Sequence, residues 1–195
     1  MKTYISISVV FLLLLLSCKK KEVMDKIIFI SDKDDANLPA YTEWGYNSFG
    51  AEYDGDYFLV SEKITPCRIT YNNNQLQFLL HGTVRNGRDM KLLFVFPSAP
   101  VSNYADLGQL NDVEIDLSDN DCAVKIIQGN VETTLDVLEG KLHFKRVQLL
   151  SIDGLLDRAI LSGIFELRFI QSGFPANISS GRFDVGITNS VFSVY

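Results

Sequence analysis

From about Tyr41 onward, apolar and polar side chains alternate with a period of two, and this rhythm restricts the fold more than any other feature of the chain. Successive side chains on a β-strand point to opposite faces, whereas a helix repeats every 3.6 residues. Leu76, Phe78 and Leu80 alternate with Gln75, Gln77 and His81, and Val113, Ile115 and Leu117 with Glu114 and Asp116. Phe165, Leu167 and Phe169 alternate with Glu166 and Arg168, and Phe183, Val185 and Ile187 with Asp184 and Thr188. Between the runs lie Asp54-Gly55, Asn86-Gly87 and Asp153-Gly154, dipeptides that tolerate the positive φ of tight hairpin turns. Asn72-Asn73-Asn74 and Gln128-Gly129-Asn130 are weaker signals of the same kind. The runs predict strands near 47–53, 56–61, 66–72, 75–85, 89–97, 113–117, 122–128, 131–138, 141–151, 158–170 and 182–188, with a tail at 191–194. A short helix is expected around Asn103–Leu110. Connections this short favour antiparallel neighbours. The expected fold is therefore all-β: one domain over 41–195, an antiparallel β-sandwich or up-and-down β-barrel of about ten strands with one short helix. An immunoglobulin-type Cys…Trp…Cys spacing is absent, because Trp44 precedes both Cys67 and Cys122.

The first residues follow a different rule. Lys2 precedes the apolar run Tyr4–Leu16, which ends at Ser17, Cys18 and the lysines 19–21. A membrane-spanning helix needs about 20 apolar residues, whereas a basic start, a short apolar core and a small residue before the cut describe a secretory signal. Leu15-Leu16-Ser17-Cys18 resembles the lipobox of bacterial lipoproteins, cleaved between Ser17 and a lipidated Cys18. Residues 1–17 are then the signal peptide, 18–40 a lipidated N-terminus and charged tether, and 41–195 the β domain. The expected location is the bacterial cell envelope, most readily the outer membrane, with acyl chains such as palmitate as the anchor and the domain facing the periplasm or the outside. One acyl chain binds only marginally, at about 10⁴ M⁻¹, but each buried CH₂ adds about 0.8 kcal/mol, so two or three hold firmly.

With 24 acidic against 18 basic side chains, the chain lacks the basic face that nucleic-acid phosphates require. Lipidation of Cys18 would leave two thiols, Cys67 and Cys122. Outside the cytoplasm they could form a disulfide, or remain two separate thiols acting as small apolar residues.

Thr42-Glu43-Trp44-Gly45-Tyr46-Asn47-Ser48-Phe49-Gly50, with Asp54-Gly55 beyond it, resembles the T-x-x-G-x-N-x-F-G start of small Bacteroidota lipoproteins of unknown function. Gly163-Ile164-Phe165-Glu166 and Ser180-Gly181-Arg182-Phe183-Asp184 resemble the closing G-x-F and G-x-F-D strands of the same group. The resemblance implies an exported all-β lipoprotein and carries over no catalytic residue. Read physically, the glycines suit turns and bulges, the phenylalanines a core, and Asn47 a turn.

No motif in the β domain specifies a reaction. His81 and His143 lie inside strand runs; no G-x-S-x-G elbow or H-E-x-x-H pair accompanies them. Asp32–Asn37 and Asp116–Asp121 crowd oxygen ligands but lack the glycine and distal glutamate of an EF-hand. The expectation is a non-catalytic binding or interaction module with no metal and no cofactor, attached to a membrane through its lipid. Its partner would be a glycan or another envelope protein, and the oligomeric state is unspecified. Tyr41, Trp44 and Tyr46, in an aromatic-rich stretch, are the candidate glycan-binding residues; the alternative is that such rings belong to the core or shield a sheet edge. Rival readings are a small-ligand carrier within a barrel and a hydrolase built on an acid pair or a dispersed triad.

Overall fold

A computed structural model describes residues 26–84, 87–97 and 101–195. Ser17, Cys18, the lysines 19–21 and Asn86 lie outside the described residues. The strands are β1 (Ser48–Tyr53), β2 (Asp56–Val60), β3 (Cys67–Asn72), β4 (Gln75–Val84), β5 (Arg88–Pro97) and β6 (Val113–Asp116). They continue with β7 (Ala123–Gln128), β8 (Val131–Thr134), β9 (Asp136–Ile152), β10 (Leu155–Gln171), β11 (Phe174–Ile187) and β12 (Phe192–Val194). The expected short helix is present as a 3₁₀ helix, Tyr104–Leu110. Asn103 caps it by accepting from the Ala105 and Asp106 amides, while Asp106 reaches back to the cap, a reciprocal capping box.

The strands form one sheet in the order β6-β9-β10-β11-β1-β2-β4-β5-β7-β8, with β3 paired to β4 and β12 to β3. Its ends, β6 and β8, do not pair with each other, so the choice between sandwich and barrel resolves to an open, sandwich-like arrangement. The fold turns at β4. One edge of β4 pairs with β3 through residues 75–80 and with β2 through Gly82 and Thr83. Phenylalanines from the two halves meet inside. Phe78 of β4 lies 5.3 Å from Phe144 of β9 and 5.0 Å from Phe183 of β11, and Phe94 of β5 lies 5.5 Å from Phe165 of β10. The interior is filled by these rings, and Phe49, Phe58, Phe78, Phe94, Phe144 and Phe183 are all essentially inaccessible.

The strand expected at 131–138 ends at Thr134, with β9 starting at Asp136 rather than 141, and three larger features also depart from the expected layout. β12 runs parallel to β3, because Thr188–Val191 turns the chain away from β11 and onto the free edge of β3, where Ile69 N donates to Val191 O. The last long strand starts at Phe174 rather than near 182, so β10 and β11 form a hairpin through Ser172 and Gly173, both at positive φ. The tether also ends earlier than the expected residue 40. Ser31 bridges Pro39, Ile28 N donates to Tyr46 O, and Leu38 is 1% exposed. Leu38 and Pro39 bury apolar surface against the sheet, which a solvated tether would not do.

Register shifts shape the outer face. Opposite Gly163 the pairing of β9 with β10 slips, so Leu142, Phe144 and Val147 face the core while Lys145 and Arg146 both face outward. This is the effect of a β-bulge. Gly163 permits the close approach: a Cβ there would run into the His143 carbonyl oxygen and the Phe183 ring.

Candidate functional site

The outer face of β10 and β11 is covered by the segment 28–47, and a single carboxylate fixes that cover. Asp184 alternates with core residues on β11, as the period-two pattern requires, yet it is only 1% exposed. Its Oδ2 accepts from Thr42 Oγ1 at 2.6 Å, Trp44 N at 3.1 Å and Tyr46 N at 3.2 Å. Its Oδ1 accepts from Gly45 N at 2.8 Å and Ser162 Oγ at 3.0 Å. A buried charge without partners would cost several kcal/mol, roughly, and these donors meet that cost. Gly45 sits at φ +72°, against Ile160, in the left-handed region that favours glycine. One step on, Asn47 Oδ1 accepts from Gly186 N at 2.9 Å, and Phe49 pairs with Phe183. The opening and closing motifs are therefore one structural unit, separated in sequence and joined at Asp184.

This unit presents a cleft. Tyr41, Thr42, Glu43, Trp44, Arg146 and Gln148 line an open depression of about 440 Å³. Tyr41 donates its hydroxyl to Glu43 Oε1 at 2.9 Å, and Lys145 Nζ stands 5.0 Å from the centre of the Tyr41 ring. Burial, then the hydrogen bond to Glu43, raises the Tyr41 phenol well above its usual range, so it remains a donor at physiological pH. Arg146 Nε lies 3.4 Å from Glu43 Oε2, and Gln148 Nε2 donates to the Glu43 carbonyl at 2.7 Å. Trp44 is different. Its amide is held by Asp184, yet the residue is 73% exposed. A large ring left in water on a fixed backbone is the feature of this surface that invites a ligand.

Of the three candidate aromatics, the structure brings Tyr41 and Trp44 to one cleft, while Tyr46 is half-buried and does not line it. The other rings of the stretch divide between core and cover. Phe49 and Phe58 are inside, Tyr53 stacks on Phe169, and Tyr57 donates to Asp35 Oδ2 at 3.0 Å. Glu43, Arg146 and Gln148 were not legible as cleft residues. The spacing of Leu142, Phe144 and Val147, two then three, is the one sequence sign of the bulge that aims Arg146 at it.

Cys67 and Cys122 are free. Cys67 pairs with Leu80, and through it lies level with Leu92, whereas Cys122 lies just beyond the Val95–Ala123 pair. Three strand spacings and several residues of rise separate them, roughly 15 Å or more, against the 7 Å limit for a disulfide. Burial raises the Cys67 thiol pKa strongly, and burial followed by the charge of Asp119 raises that of Cys122. His81 Nε2 lies 2.7 Å from Asp89 Oδ1, and His143 Nε2 lies 2.9 Å from Asp112 Oδ1. Each is a surface pair on or beside a strand, and neither lines the cleft.

The acidic loops satisfy themselves. Asp32 Oδ1 accepts from the Asp34 and Asp35 amides, and Asp116 Oδ1 from Ser118 N and Oγ. Among the described residues no three His, Cys, Asp or Glu side chains are grouped to hold a metal ion, and no helix is long and apolar enough to cross a membrane. No protein-family model, no curated protein and no solved structure matches the chain.

Proposed function

We propose that this chain is a lipid-anchored, non-catalytic binding module of the bacterial cell envelope, and that its ligand is a carbohydrate held at the Tyr41–Trp44 cleft. The exposed indole of Trp44 on a backbone pinned by Asp184 is the observation that carries this reading. A sugar ring presents an apolar C–H face to an aromatic plane and a rim of hydroxyls to polar neighbours. Trp44 offers the plane. Glu43, Arg146 and Gln148 offer acceptor and donors at its margin. Because Trp44 is already held, little ordering entropy is lost on binding. The filled interior disfavours the rival reading of a ligand carried inside a barrel. The anchor rests on the Ser17-Cys18 lipobox and the apolar run before it.

Trp44 is the sole tryptophan, so its emission reports this site alone. Titration with a panel of soluble glycans should give a saturable emission change for at least one class. In calorimetry the Trp44→Ala variant should bind that glycan at least tenfold more weakly, the loss of one stacked ring at about 1.4 kcal/mol per tenfold. A folded protein whose emission and calorimetry ignore every glycan would remove the carbohydrate reading.

A further inference from the structure

The ends of β10 carry exposed apolar side chains of different character. At one end the β9–β10 hairpin turns through Asp153 and Gly154, both at positive φ, and exposes Leu150, Ile152 and Leu155, while Leu149 on the opposite face leans on Gly108 of the 3₁₀ helix. Leu155 is 76% exposed and Ile152 is 58% exposed, and the two are paired across the turn. At the other end, Phe174 stands alone beside Ser172 and Gly173. A contiguous apolar tip on a long hairpin is costly in water and marks a contact surface.

The path of the N-terminal segment shows what that tip faces. Asp32 binds Arg182, which pairs with Ile164 of β10. Ile28 binds Tyr46, whose amide is on Asp184, and Asp184 pairs with Ser162. Followed backward from 32 to 28, the chain thus moves along β10 from Ile164 towards Ser162, in the direction of Leu155. Exposed Ile28, Phe29 and Ile30 mark this exit. Seven residues of strand from Ser162 to Leu155 span roughly 23 Å, and ten residues from Ile28 back to Cys18 reach at most about 35 Å. The length of chain before Ile28 is therefore enough for a lipid on Cys18 to lie level with the hairpin tip.

We infer that the Leu150–Leu155 hairpin tip is a second membrane contact, dipping into the interfacial layer of the bilayer that holds the acyl anchor. This rests on the lipid-anchor reading. The tip fixes the orientation of the domain: Gln148 is four residues from Ile152, which sets the sugar cleft roughly 13 Å above the tip, and Phe174 points away from the bilayer.

The test uses the mature full-length protein in phosphatidylcholine vesicles, with and without brominated acyl chains. Leu155→Trp and Phe174→Trp are each made in a Trp44→Phe background; both positions are exposed, so neither ring disturbs the core. Trp at 155 should lose at least half its emission to brominated lipid and shift to the blue, and Trp at 174 should do neither. Mass spectrometry of the N-terminal peptide reads acylation of Cys18 independently. An acylated protein whose residue 155 is unquenched keeps the anchor and overturns the tip. An unacylated protein that is quenched at 155 keeps the tip and overturns the anchor. With neither acylation nor quenching, both fall. Blue-shifted emission at 155 that tracks protein concentration in the absence of lipid assigns the tip to a second copy of the chain and overturns the membrane contact.

Discussion

The two faces of β10 and β11 are held down by opposite chemistry. Inside, Phe165 and Phe183 join a continuous set of rings with Phe78, Phe94 and Phe144, and burial of apolar area does the holding. Outside, Ser162 and Asp184 lie under the segment 42–46, and directional hydrogen bonds to one carboxylate do the holding. Many rings share the work of the inner face, whereas the stretch 42–46 of the outer cover converges on one carboxylate, with Asn47, Asp32 and Leu38 securing its flanks. The inner face should therefore set the stability of the whole domain and the outer face the geometry of the cleft.

Removing Phe78 is the sharpest challenge to the first half of that contrast. Phe78 is fully buried and touches Phe94, Phe144 and Phe183. Phe78→Ala should cost about 3–5 kcal/mol and lower the melting temperature by roughly 10 °C for a domain of this size, measured by circular dichroism. The native emission of Trp44 should stay as it was. If that emission changed with the core intact enough to fold, the two faces would not be separable.

Asp184→Ala tests the other half. It leaves the amides of Trp44, Gly45 and Tyr46 and two hydroxyls without their acceptor, a loss of about 2–4 kcal/mol. The larger signature should be local: Trp44 emission shifts to the red and its anisotropy falls, because the backbone that holds the ring is released. A variant with lowered stability but unchanged Trp44 anisotropy would mean that the cover is held elsewhere.

The inner face was nearly all legible in the sequence. Its residues keep period two, and the turns around Asp54-Gly55 and Asp153-Gly154 carry residues suited to positive φ, so strand positions followed from local chemistry. The outer face was not. Alternation assigns Asp184 and Ser162 to the face opposite the core, correctly, but it cannot say that a segment from 140 residues earlier in the chain will cover that face. Asp32–Asn37 is charged enough to suggest a solvated tether, yet its carboxylates cap their own turns and Leu38 and Pro39 supply the apolar contact. The cleft suffered from the same gap. Tyr41 and Trp44 were visible as aromatics, while Arg146 and Gln148 reach them only through a bulge and a long-range packing that no local pattern encodes.

The smallest expected effect concerns the far end of the cover, where Asp32 Oδ2 accepts from Arg182 at 2.6 Å. The amide of Asp34, then that of Asp35 and the Arg182 guanidinium, hold the Asp32 carboxyl below its ordinary value of 3.8. A carboxylate with a depressed pKa in the folded state stabilises that state above its unfolded pKa and loses the contribution as pH falls through the folded one. The staple should thus be intact at pH 5 and weaken progressively below 3.8. Asp35, lowered by the Asn37 amide and by Tyr57, titrates in the same segment, so the wild-type response alone does not isolate Asp32. Asp32→Asn does. Amide exchange across 28–40 should be faster in that variant at pH 5, and the difference from wild type should close as acid removes the charge from wild-type Asp32. If the difference persisted unchanged at the acid end, the contribution of Asp32 would not be its charge, and the staple to Arg182 would not act as an ion pair.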